Sequence, residues 1–131
     1  MNDRTIAISH TSDVAVARVH ARGLATAQGL ERRLVEAFAT AVSELATNIM
    51  IHAGSGEIEL TAIAAAERRG VRAVARDEGP GIADLDRALT DGFSTSGGMG
   101  CGLPGARRLA DRFELRSRLG GGTTVLVEKW A

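Results

Sequence analysis

The sequence predicts an α+β two-layer sandwich, a mixed and mostly antiparallel sheet covered by helices on one face. Three observations predict it. One long segment repeats its apolar residues at helical spacing. Two pairs of alternating segments, separated by turn residues, read as hairpins. Most of the 16 glycines gather at 79–81, 97–105 and 120–122, where the backbone must turn sharply or approach something closely.

In chain order, Thr5-Ile6-Ala7-Ile8 is a short strand. Small apolar residues dominate 13–28, with Ser12 or Asp13 as caps and Gly29 as a stop, which predicts a helix. Over 30–52, Leu34, Phe38, Val42, Leu45 and Ile49 recur at spacings of three and four. One stripe of a long helix therefore faces the core, and Ala53-Gly54-Ser55-Gly56 ends it. Residues 57–62 alternate, with Ile58, Leu60 and Ala62 on one face. Arg68-Arg69-Gly70 reads as a turn and 71–76 as the returning strand. A short helix near 84–90 and a polar, glycine-rich loop over 91–100 follow the Asp77-Glu78-Gly79-Pro80-Gly81 turn. A helix from 103 to 112 accepts Pro104 because that residue sits in its first turn. The chain closes with a hairpin of 113–118 and 123–130 around Gly120-Gly121-Gly122.

At 131 residues the chain fits one domain, 1–131, with a core that needs no disulfide or structural metal. Aromatics are only 3%, so that core must be aliphatic and alanine-rich. The 16 basic and 16 acidic residues cancel, leaving no bulk electrostatic pull towards nucleic acid or a membrane. Any partner must be read by a local surface. Cys101 is the only cysteine, so no internal disulfide forms and a reducing compartment fits. Met1-Asn2-Asp3-Arg4 begins no apolar leader, and no apolar run approaches the roughly 20 residues of a spanning helix. Together these predict a cytoplasmic protein.

Glu44 and Asn48 lie four apart, so they project from the same side of the long helix, off the Leu45 and Ile49 stripe. A carboxylate and a carboxamide so placed can act as general base and as an oxygen ligand for Mg²⁺. From spacing alone, such a pair is more often a solvated helix surface. Asp77-x-Gly79-x-Gly81 directly follows a strand. A carboxylate there can accept from an adenine amino group while the glycines leave room for a flat ring; an ordinary turn has the same letters. The run from Ser94 to Gly102 leads into a helix, whose exposed N–H groups and dipole suit phosphate. Gly100-x-Gly102-x-x-Gly105 matches a dinucleotide fingerprint, but no strand precedes it and no βαβ unit surrounds it. Gly122-Thr123-Thr124 could offer a hydroxyl at a strand start. His10 and His20 have no ligand-spaced partners.

Taken in order, Glu44-Leu45-Ala46-Thr47-Asn48, then Asp77-Glu78-Gly79-Pro80-Gly81-Ile82, then Gly98-Met99-Gly100-Cys101-Gly102-Leu103-Pro104-Gly105-Ala106-Arg107-Arg108-Leu109 resemble the GHKL ATPase/kinase superfamily with its Bergerat fold. Within it they look most like the serine/threonine switch kinases of bacterial stressosomes. The resemblance runs from about Leu30 to Trp130. It implies ATP and Mg²⁺ as cofactors, with Asn48 ligating Mg²⁺ and Glu44 orienting or deprotonating the attacking hydroxyl. It implies Asp77 on adenine, with Gly79, Gly81 and Ile82 around it, and Thr124 at the adenine edge. Gly98, Gly100, Gly102 and Leu103 would line the phosphates, and residues 84–99 would form an ATP lid. The implied substrate is a STAS-domain protein, with a PP2C-type phosphatase as downstream partner. Two other readings share the motif: an anti-sigma factor kinase that sequesters a sigma factor, and a nucleotide-binding interaction module without catalysis. No Lys or Arg lies between Arg87 and Arg107, so the cation for the γ-phosphate is unassigned, with Arg107 a candidate by proximity.

Overall fold

A computed structural model describes residues 3–81 and 102–131. The described elements run β1 (Arg4–Ile8), α1 (Thr11–Ala27), α2 (Arg32–His52), β2 (Gly56–Ala65), β3 (Arg68–Asp77), α3 (Gly102–Leu109), β4 (Arg112–Arg118) and β5 (Gly122–Trp130). The strands form one sheet in the order β1-β2-β3-β5-β4. The sheet expected to be mixed and mostly antiparallel is antiparallel at every described pairing. The helix expected near 84–90 and the loop over 91–100 lie outside the described residues.

One sheet face carries Ile6, Ile8, Ile58, Leu60, Val71, Ala73, Ala75, Val125 and Val127, and the helices cover it. Period-two alternation sends the intervening side chains to the opposite face. From α2, Val35, Phe38, Val42, Leu45 and Ile49 join this core, as the helical stripe predicted. Full burial of each such large side chain contributes roughly 1.5–3 kcal/mol. Alanines fill the tighter places: Ala17, Ala21 and Ala25 on α1, and Ala39, Ala41 and Ala46 on α2, are all buried. By length and composition α2 could cross a membrane, although polar and charged residues interrupt its apolar runs. In the fold its apolar stripe lies against the sheet instead.

Three boundaries differ from the sequence expectation, each for a physical reason. Helix α1 starts at Thr11 with His10 as its cap residue, and Asp13 is its third residue rather than its cap. The Asp13 carboxylate accepts the Ser9 and His10 backbone N–H groups, both at 2.9 Å, which satisfies donors at the helix start. The β2–β3 turn falls at Ala66 and Glu67, not at Arg68-Arg69-Gly70, because Ala65 pairs directly with Arg68. Gly70 is a strand residue opposite Trp130, and a Cβ there would lie 2.8 Å from the indole ring. Helix α3 ends at Leu109 instead of 112. The Asp111 N–H donates to the Glu128 carbonyl at 2.8 Å, and the Asp111 carboxylate accepts the Trp130 N–H at 2.8 Å. Those bonds draw the chain into β4.

On the uncovered face, register places Glu128 between Arg72 of β3 and Arg112 of β4. Glu128 is buried and accepts two bonds from the Arg72 guanidinium, at 2.8 and 2.6 Å. Replacing it leaves the Arg72 guanidinium without its acceptor. Glu128→Ala is expected to lower the unfolding free energy by about 1.5–3 kcal/mol, read as a shift of the urea midpoint; an unchanged midpoint would show the pair to be energetically idle.

Candidate functional site

Glu44 and Asn48 sit on successive turns of α2. Neither is simple solvated surface. Asn48 is 8% exposed, and its carboxamide atoms reach the surface, because no buried side-chain oxygen or nitrogen among the described residues lacks a hydrogen-bond partner. Glu44 is partly buried, and that burial pushes its carboxyl above the ordinary carboxylate range, while the charge of Arg18 pulls it back. Arg18 reaches over from α1, donating to Ser43 Oγ at 3.1 Å and Thr40 Oγ1 at 3.3 Å. Thr40 is one turn before Glu44 on the same side of α2. A desolvated carboxylate with a raised pKa is suited to taking a proton. The carboxamide oxygen beside it is a hard donor, which fits a magnesium ion.

The Asp77 turn is fastened to the end of the same helix. Asp77 closes β3 on the helix-covered face, and its carboxylate accepts the Gly79 N–H at 2.9 Å. A Cβ on Gly79 would meet the Ala53 Cβ at 2.7 Å, so the turn lies directly on the C-terminal end of α2. Gly81 and Gly122 both hold positive φ, +79 and +83. A Cβ on Gly81 would sit 2.2 Å from the Arg118 carbonyl oxygen, and one on Gly122 would sit 2.1 Å from the Asp77 carbonyl oxygen. The Gly120 N–H donates to the Pro80 carbonyl at 2.9 Å, completing the junction. The sequence reading assigned Gly79 and Gly81 to making room for a ring. The fold already demands glycine at both, because chain packs on chain there.

Register separates Thr124 from Asp77. Asp77 pairs with Thr123, whereas Thr124 pairs with Arg76 on one side and Arg116 on the other. Thr124 therefore projects from the uncovered face, away from Asp77. Thr123 is the hydroxyl beside Asp77. It is buried, and its Oγ1 lies 2.9 Å from Ser117 Oγ on β4. The signal that could have found it is the strand period counted back from Val125 and Val127, both core residues.

Helix α3 begins at Gly102. The Leu103 side chain is part of the core, so what α3 offers a phosphate is the backbone N–H groups of its first turn rather than that side chain. Arg107 points to solvent. Ile82, Gly98 and Gly100 lie outside the described residues.

Residues 9–129 match the family model of the histidine kinase-like ATPase domain. The chain belongs to the histidine kinase-like ATPase family. It is also 42% identical over 131 residues to the serine/threonine-protein kinase RsbT of Bacillus subtilis (strain 168), covering 99% of this chain and 98% of that one. The expected superfamily, its fold class and a serine/threonine kinase activity all agree with these two likenesses.

Proposed function

We propose that this chain is a Mg-ATP-dependent serine/threonine protein kinase of a partner-switching, stressosome-type pathway acting in the cytoplasm. Its substrate would be a STAS-domain antagonist, and once released from it the kinase would bind and activate a PP2C-type phosphatase. The observation that supports this most is the pairing on α2 of a half-buried, pKa-raised carboxylate with a carboxamide one turn further along the same helix.

In this reading Glu44 accepts the proton of the substrate serine or threonine as its oxygen forms a bond to the γ-phosphorus, and ADP leaves with the electrons of the broken bond. Asn48 holds the magnesium that accompanies ATP. Bound there, the ion spreads the charge that develops on the transferred phosphoryl group. Asp77 accepts from the adenine amino group, and Thr123, in place of Thr124, stands next to it. Gly79 and Gly81 shape the adenine end through the backbone path they permit, and the first turn of α3 from Gly102 faces the phosphates. Ile82, Gly98 and Gly100 complete the assignment from the sequence resemblance.

Incubation with Mg-ATP and candidate STAS-domain proteins, followed by mass spectrometry, should reveal a phosphorylated serine or threonine. No transfer to any STAS protein, together with tight binding of a sigma factor, would favour the anti-sigma reading. Nucleotide binding without transfer to any partner would favour an interaction module. Asn48→Ala is expected to weaken Mg-ATP binding about tenfold or more, the scale of one charge-assisted contact. Titration calorimetry with and without Mg²⁺ checks it; an equal loss in both conditions would remove Asn48 from the metal.

A further inference from the structure

The sheet ends at β4, whose outer edge pairs with no described strand. An edge strand turns every second backbone N–H and C=O outwards, a ready template for another chain. Register sets Arg112, Glu114, Arg116 and Arg118 of β4 on the uncovered face, together with Glu128. Most arginines of that face are already engaged. Arg72 and Arg112 meet Glu128, and Arg112 also meets Glu114. Arg76 meets Glu57 and Glu59, and Arg68 lies over the Trp130 ring. Arg116 and Arg118 are exposed and have no carboxylate partner among the described residues. They stand two positions apart on one edge, about 6.8 Å along the strand, and Leu119 next to them is 70% exposed.

An edge lined with one charge repels strands of the same charge, which guards it against indiscriminate pairing. The same charge admits a strand that carries the complement. A second copy of this chain offers no such strand. Its other edge, β1, reads Arg4-Thr5-Ile6-Ala7-Ile8 without a carboxylate, and β4 itself brings three arginines for one glutamate. We propose that the outer edge of β4 is a docking strand for a partner protein, which adds an extended segment with acidic residues at alternate positions. Main-chain bonds would supply affinity, and carboxylates opposite Arg116 and Arg118 would choose the partner. Period two turns the residue between the two acids to the covered side, where Phe113 and Leu115 pack against the margin of the core. The pattern expected in the partner is therefore acid, apolar, acid.

The probe is a synthetic peptide of alternating glutamate and valine, as long as β4, titrated into the full chain and followed by amide NMR and hydrogen exchange. It should slow exchange at the outward amides of 112–118, and a lysine–valine peptide should not. Arg116→Glu combined with Arg118→Glu should weaken the glutamate peptide about three- to thirtyfold, the range of two exposed ion pairs, and bind the lysine peptide in its place. Arg116→Gln combined with Arg118→Gln should lose the first peptide without gaining the second. Equal affinity of the unsubstituted chain for both peptides, or protection that misses β4, overturns the proposal. A glutamate peptide N-methylated at the amides of its pairing edge should not bind; undiminished binding would leave charge attraction alone and overturn strand addition. Sedimentation that finds a dimer with the β4 amides protected before any peptide is added would give the edge to a second copy, and overturns it too.

Discussion

Glu44→Gln is expected to cut phosphoryl transfer by about 10²–10⁴-fold, the usual contribution of a positioned general base, while leaving the ATP dissociation constant within about twofold. The same substitution should raise the melting temperature at neutral pH. Burial raises the carboxyl of Glu44 above its ordinary value of 4.5, so between the two values the folded state holds more proton than the unfolded one. Stability then falls as pH rises through that window and stays reduced above it. A neutral amide of the same shape carries no such penalty. The stability difference between the two proteins should therefore be full at pH 7 and shrink as the pH falls through the raised value towards 4.5. Transfer by the unsubstituted kinase should follow the ionised fraction and rise across the same window. Thermal melts at several pH values and an initial-rate profile check both halves. Equal transfer by Glu44→Gln would refute its role as base, and a lower melting temperature at pH 7 would refute the desolvation account.

The second large effect is at Gly122. Alanine there combines a left-handed backbone, which costs a non-glycine residue about 1–3 kcal/mol, with a Cβ 2.1 Å from the Asp77 carbonyl oxygen. Gly120 supplies the control. Its φ is +74, yet a Cβ would meet nothing within 4 Å. Gly120→Ala should lose only the conformational part, while Gly122→Ala should lose more stability and also displace Asp77, abolishing ATP binding. Urea melts and nucleotide titration separate the two variants. Equal destabilisation of both would mean that the close approach to Asp77 carries no energy.

The legible parts of this protein are those governed by repeating side-chain patterns. The stripe from Phe38 to Ile49 announces α2 because burial on one helix face imposes its period. The alternation of Ile58 and Leu60 announces β2 in the same way. The illegible parts depend on a single residue's partner. Gly70 looked like a turn residue because glycine is usually read as freedom to turn. Here it makes room for the Trp130 ring, sixty positions along the chain. Ala66 takes the turn with φ of +54, a conformation its side chain does not advertise. Thr123 and Thr124 differ by one step of register. The strand period counted back from Val125 and Val127 puts Thr123 on the covered face, and the pairing places it opposite Asp77. Glu44 and Asn48 were legible as a pair, but their burial was not, because it depends on how α1 and α3 pack around α2.

The fastening of the Asp77 turn to Ala53, Arg118 and Gly122 bears on how this protein opens. A surface turn ordinarily exchanges its amide hydrogens by small local fluctuations that leave the rest of the fold intact. Here the turn cannot lift without parting from the end of α2 and from the β4–β5 hairpin together. Its opening free energy is thus tied to that of the sheet. The segment shaped like a loop belongs to the same cooperative unit as the strands it joins, and stays closed for as long as they do.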